Sequence, residues 1–142
     1  MRIRDIAFKK TGISALELIN IVAFALNMGK EQIFTNADAN IEDKKAEEIE
    51  KLVEQRRQGK PLAYITKRKE FFSETFYVDE RVLVPRPETE LLVEEAISII
   101  EKKGGTLSLL DVGTGCGTIG LIIAKNTNQH VICIDISHDA IA

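Results

Sequence analysis

Between Leu109 and Gly120 the chain reads LLDVGTGCGTIG, an apolar run that enters a turn with glycine at every second position and leaves it as another apolar run. Few backbones accept that order. Glycine has no Cβ, so Gly113, Gly115 and Gly117 permit left-handed dihedrals and a close approach of another group to the main chain. The residues before the turn predict a strand over Leu107–Val112, and those after it predict a helix over Thr118–Lys125. A second apolar run, His130 to Asp135, predicts another strand, and a helix begins after Ser137. Strand, crossover helix and strand in this order form the βαβ beginning of a parallel sheet.

The chain upstream is written in a different pattern. Ala15, Leu16, Leu18, Ile19, Val22, Ala23 and Leu26 recur at the spacing of one helix face, with Ser14 as a candidate cap and Gly29 just beyond the end. A second helix is expected from Ile41 or Glu42 to Arg57, capped by Asn40 and stopped by Gly59 and Pro61. Short helical turns are expected at Glu31–Phe34 and Leu62–Ile65. From Glu70 to Val84 aromatic and β-branched residues surround Ser73-Glu74-Thr75, the pattern of a hairpin. Pro85 and Pro87 then interrupt the backbone before helical spacing resumes over Glu88–Lys102, closed by Gly104-Gly105. The expected organisation is α+β: an all-α helical bundle over residues 1–69, a β-hairpin linker over 70–84, and an α/β segment over 85–142.

Composition excludes several classes. A net charge of −3 over 142 residues argues against general nucleic-acid binding. The apolar runs fall well short of the roughly 20 residues that span a bilayer, and MRIRDIAFKK lacks a secretory apolar core, so a cytoplasmic protein is expected. Cys116 and Cys133 lack zinc-site spacing and read as reduced structural thiols, so no metal is expected. The short basic run Arg56, Arg57, Lys60, Lys67, Arg68 and Lys69 is flanked by Glu54 and Glu70, which favours a solvated charged face over an RNA-binding one.

The glycine turn admits two cofactor readings. Gly115, Gly117 and Gly120 satisfy GxGxxG, and Asp135 follows at about the 20-residue interval of the dinucleotide fingerprint, which would mean NAD. A strand ending at Val112 instead places the working glycines at 113, 115 and 117 with Asp111 in front, a DxGxGxG register. Asp111 either orders its own loop or touches ligand. Asp135, at the carboxyl end of a strand, is placed to accept hydrogen bonds from ribose hydroxyls, with Ser137 the better cap for the next helix.

The DxGxGxG form resembles motif I of class I S-adenosylmethionine-dependent methyltransferases, and residues further upstream narrow the likeness. RRQGKPLAYI at Arg56–Ile65, EFF at Glu70–Phe72, LVPRPETE at Leu83–Glu90, DVGTGCGTIG at Asp111–Gly120 and VICIDIS at Val131–Ser137 occur in family order. Together they resemble the N5-glutamine methyltransferases that modify peptide chain release factors, the HemK/PrmC family. PRPETE is far more specific than the glycine loop.

The resemblance implies a Rossmann-like methyltransferase domain that starts near Pro85, S-adenosyl-L-methionine as cofactor, and methylation of the glutamine in a release factor GGQ loop. It implies cofactor contacts at Gly113, Thr114, Gly115, Cys116, Gly117 and Asp135. Arg86, Glu88, Thr89 and Glu90 fall where the family's chain passes near the cofactor and glutamine pockets. Equally, Arg86 can pair with an acid and Thr89-Glu90 can simply begin a helix. Cys116 stands where Ser or Thr is usual. The family's catalytic Asn-Pro-Pro-Tyr is not in this chain, whose only prolines are Pro61, Pro85 and Pro87, so no catalytic residue is carried over. The expectation is therefore a chain inactive by itself, or a noncatalytic partner-binding module. Its two parallel strands are expected to carry open edges that are disordered, self-associated or completed by further sequence.

Overall fold

The computed structural model describes residues 1–141 and divides into two compact units, one over Met1–Thr66 and one that begins at Lys67. The first is helical. Its elements are α1 (Ile3–Ala7), α2 (Ala15–Leu26), α3 (Lys30–Thr35), α4 (Asp43–Arg57) and α5 (Leu62–Thr66). Helix α2 starts as its sequence demands: Ser14 Oγ accepts from the Glu17 N–H at 3.2 Å while a Glu17 carboxylate oxygen accepts from the Ser14 N–H at 3.1 Å. This capping box satisfies two N–H groups in the first turn. The same carboxylate reaches Arg56 on α4 at 2.7 Å, and this guanidinium holds the Glu17 carboxyl below the usual carboxylate range.

One local expectation for this unit is corrected, and two features were not anticipated. Helix α2 ends with Asn27 in the left-handed conformation as its C-cap, and Gly29 lies just beyond that end, where it is the N-cap of α3. Asn tolerates that conformation, so the helix closes two residues before the glycine. Helix α4 takes Glu42, not Asn40, as N-cap, because Asn40 is drawn into a bridge with Arg2. The N-terminal helix α1 was not anticipated. It is short, and the backbone bonds of Ile3 to Ala39 and of Ile41 to Met1 tie it to the chain before α4. The unit closes over Ile3, Leu18, Ile21, Val22, Ile33 and Ile49, all essentially inaccessible to solvent.

The second unit contains β1 (Arg68–Phe71), β2 (Glu74–Tyr77), α6 (Thr89–Lys103), β3 (Leu109–Val112), α7 (Thr118–Thr127), β4 (Val131–Ile134) and α8 (His138–Ile141). The hairpin exists but begins before Glu70 and turns at Phe72-Ser73, with Phe71 opposite Glu74 and Arg68 opposite Tyr77. Both turn residues have positive φ, 51° and 61°, the hand that a two-residue hairpin connection requires. The Glu90 carboxylate secures this unusual turn by accepting from the Phe72 N–H at 2.9 Å. Phe71 and Phe76 meet edge to face, with centroids 6.3 Å apart, over a core that includes Val93, Ile100, Ile122 and Ile123.

Strands β3 and β4 pair in parallel, Leu109 opposite Val131 and Val112 opposite Ile134, with α7 as the crossover. The mixed helix and strand content agrees with an α+β chain. One face of this two-stranded sheet turns Leu109 and Val131 toward the core. On the other face Leu110, Val112, Ile132 and Ile134 are 59%, 70%, 53% and 44% exposed.

Candidate functional site

The strand β3 ends at Val112, so the turn starts at Gly113 and not at Gly115. Gly113, Gly115 and Gly117 have φ of 76°, 56° and 80°, so all three occupy the left-handed region. A Cβ at Gly113 or Gly115 would meet no atom within 4 Å, so these two glycines are required by backbone dihedral and leave open space above the loop. Gly120 is glycine for a different reason. A Cβ there would lie 2.5 Å from Cys133 Sγ and 3.1 Å from Asp111 Oδ2, so its absence lets α7 settle onto the strands.

Two carboxylates shape the turn. Asp111 Oδ2 accepts from Thr114 Oγ1 at 2.6 Å and from the Gly120 N–H at 3.0 Å. Gly120 is the third residue of α7, and its N–H has no partner inside the helix, so Asp111 caps α7 from the neighbouring strand. Of the two roles open to Asp111, the structure displays the loop-ordering one.

Asp135 lies just past β4. Its Oδ2 accepts from the Gly115 N–H at 2.8 Å and its Oδ1 from the Ser137 N–H at 2.9 Å. The Ser137 and Gly115 N–H groups together hold its carboxyl below the usual range, so the site is anionic at neutral pH. Each oxygen keeps a further lone pair. The glycine turn and the end of β4 are thereby drawn together into one rim.

The other sequence-named residues fall around this rim or away from it. Thr114 is buried, and Gly117 is the N-cap of α7. Cys116 is half-buried, and burial pushes its thiol pKa up, so it stays protonated at neutral pH. Arg86 and Glu88 are exposed on the loop before α6, where the Arg86 carbonyl accepts from the Thr89 N–H at 3.0 Å. Thr89 opens α6, and Glu90 is committed to the hairpin turn. Within the basic run, Arg56 pairs with Glu17, Arg57 with Glu54 and Lys67 with Glu80.

One cluster went unnoticed in the sequence. Asp79 accepts from Arg81 Nε at 3.0 Å, from the Arg81 N–H at 3.0 Å and from the Tyr77 hydroxyl at 3.2 Å. The Arg81 guanidinium lowers the Asp79 carboxyl to about 2. The only sequence signal was an acid and an arginine two residues apart after a strand. Among the described residues there is no group of three or more His, Cys, Asp or Glu side chains fit to hold a metal, and no helix long and apolar enough to cross a membrane.

Known proteins are similar to this chain in sequence. Residues 7–66 match the PrmC N-terminal domain family. A release factor glutamine methyltransferase of Buchnera aphidicola is 37% identical over 123 residues, which cover 86% of this chain and 44% of the relative. One from Clostridium acetobutylicum is 37% identical over 122 residues, covering 85% and 42%. One from Salmonella typhimurium is 33% identical over 123 residues, covering 86% and 44%. The chain spans less than half the length of these curated relatives. The helical unit thus belongs to the PrmC N-terminal domain family, and the likeness to release factor glutamine methyltransferases continues through most of the remaining residues.

Proposed function

We propose that the second unit is the start of a Rossmann-like class I methyltransferase domain. It binds S-adenosyl-L-methionine and serves methylation of the glutamine side-chain amide in the GGQ loop of a peptide chain release factor. The observation that carries the cofactor choice is Asp111 on the N-terminus of α7. A dinucleotide would set its pyrophosphate on the free N–H groups of that helix end. Here a carboxylate already takes one of them, a second carboxylate stands across the rim at Asp135, and no Lys or Arg occurs between Leu109 and Ala124. Two anions and no cation disfavour pyrophosphate and suit a ligand with a cationic centre and ribose hydroxyls.

When bound, the cofactor supplies a methyl group on a positively charged sulfur. The residues of this chain bind and orient. Gly113, Thr114, Gly115, Cys116 and Gly117 offer a backbone unobstructed by side chains at Gly113 and Gly115. Asp135 offers its remaining lone pairs to hydroxyls while it keeps the loop closed. The Cys116 thiol, held protonated by burial, does not compete as a nucleophile. An amide nitrogen is a weak nucleophile and needs acceptors for its N–H groups and in-line placement. The Asn-Pro-Pro-Tyr that resembles such an acceptor set in the family is not among these 142 residues. This chain by itself is therefore expected to hold cofactor without turnover, in a cytoplasmic role at translation termination.

Calorimetric titration with S-adenosyl-L-methionine and with NAD tests the cofactor reading. Saturable binding of the first and none of the second is expected; the reverse order overturns it. A methylation assay on a release factor, with and without a fragment that carries Asn-Pro-Pro-Tyr, tests the reaction. Methyl incorporation only with the added fragment is expected. Partner binding without cofactor binding or incorporation would make the chain a noncatalytic module.

A further inference from the structure

Helix α1 has two unlike faces. Ile3, Ile6 and Ala7 are buried in the core, whereas Arg4 and Phe8 are exposed, and the Phe8 N–H donates to the Arg4 carbonyl, which sets the two one turn apart. Helix α3 repeats the arrangement. Ile33 is buried, while Lys30 and Phe34, four residues apart and so neighbours on one face, are exposed. The two outer faces meet at their rings: Phe8 and Phe34 have centroids 5.7 Å apart at an interplanar angle of 43°. Contact with each other does not hide them, and they stay 50% and 55% exposed. The result is a pair of adjoining rings with a cation one turn from each.

Positive charge is in excess around them. The first ten residues carry Arg2, Arg4, Lys9 and Lys10 against Asp5 alone. Asp38 answers Arg2 and Arg4 together, and Lys9 reaches Glu50 only at 3.4 Å. Lys10, two residues after Phe8, and Lys30 form no ion pair among the described residues, and Glu31 is the one acid of α3. An exposed ring gives a flat surface on which another planar group stacks, and cations beside it favour a ligand whose planar groups are joined by anions. A nucleic-acid strand with unpaired bases has that build, and unpaired bases are presented chiefly by the loops and ends of RNA. The net charge of −3 over the whole chain confines such binding to this patch.

We propose that this face binds a short single-stranded RNA segment, with bases stacked on Phe8 and Phe34 and backbone phosphates set on Arg4, Lys10 and Lys30. The site lies wholly within the helical unit and does not depend on the cofactor reading. Amide chemical shifts of the whole chain test it, in titrations with an oligouridylate of about six nucleotides, with inorganic polyphosphate, with blunt duplex RNA and with acetyl-Leu-Leu-Leu amide. The oligouridylate is expected to give saturable shifts centred on residues 4–10 and 30–34, with weaker response to the other three. Phe8→Leu combined with Phe34→Leu is expected to weaken that binding about fivefold or more. Lys10→Gln combined with Lys30→Gln is expected to flatten the slope of log affinity against log salt by about 1.4, at about 0.7 for each phosphate contact. Both lysines are exposed, so this second readout stands whatever the ring variant does to folding. No saturable shift with oligouridylate, an equal response to polyphosphate, duplex or peptide, full affinity in a folded ring variant, or an unchanged salt slope in the lysine variant overturns the proposal. Shifts confined to residues 111–135 also overturn it, because they place the oligonucleotide on the glycine turn. S-adenosyl-L-methionine titration is read at those residues, so failure here and failure of the cofactor reading are separately visible.

Discussion

The helical unit and the α/β unit solve the same problem to different degrees. Helix α2 packs against α1, α3, α4 and α5, and side chains such as Ile21, Ile33 and Ile49 lose all contact with solvent. Around β3 and β4 only one face is covered. Leu110, Val112, Ile132 and Ile134 alternate outward and are largely exposed, and Ile136 beyond them is fully exposed. Parallel sheets usually have helices on both faces, so the contrast marks the open face of β3 and β4 as the less covered part of the molecule. The rim formed by the glycine turn and Asp135 sits at the end of the half-covered sheet.

The largest expected difference comes from matched truncations. Ile49→Ala should destabilise the helical unit by about 2–5 kcal/mol, as for other buried isoleucines. Ile132→Thr on the open face should cost about 0.5 kcal/mol or less. Thermal unfolding followed by amide signals from each unit separates the two, and equal costs would break the contrast. Sedimentation velocity should show concentration-dependent association that Ile132→Thr and Val112→Thr reduce, because an exposed apolar patch favours contact between copies.

Next in size is Gly120→Ala. Its Cβ would sit 2.5 Å from Cys133 Sγ, and overpacking of this kind costs about 1–3 kcal/mol. Removing the sulfur in Cys133→Ala should recover part of that loss in the double variant. Additive losses in the double-mutant cycle would mean the contact with Asp111, not Cys133, decides the position. Asp111→Ala should cost about 1 kcal/mol, the value of a helix cap, and should speed hydrogen exchange at the Gly120 N–H.

The smallest effect is a dependence on pH. Asp79 falls from an ordinary 3.8 to about 2 in the folded chain because of Arg81. A depressed carboxyl contributes stability above its unfolded value and loses it as pH falls through the folded one. Stability of the α/β unit should therefore decline from about pH 4 toward pH 2. Asp79→Asn should flatten that decline, with the remaining slope from Asp135 and other lowered carboxyls.

Most helices were legible because their signals are local. Ser14 with Glu17, and the three-and-four spacing of Leu18, Ile19 and Val22, specify α2 without reference to anything distant. Boundaries set by remote partners were not legible. Asn40 looks like a cap until Arg2 bridges to it, and Ser73-Glu74-Thr75 looks like a turn until Glu90 anchors the Phe72 N–H. Asp79 and Arg81 gave no signal because their meaning lies in how the chain folds back after β2.

By itself the sequence determined the glycine turn, the strand and helix beside it and the register from Asp111, because dihedral freedom and hydrophobic period are properties of neighbouring residues. Only the tertiary structure decided that Asp111 caps α7 and that Asp135 closes on Gly115. Those bonds join residues on different elements, and a carboxylate's role depends on which N–H groups the fold carries within about 3 Å of it.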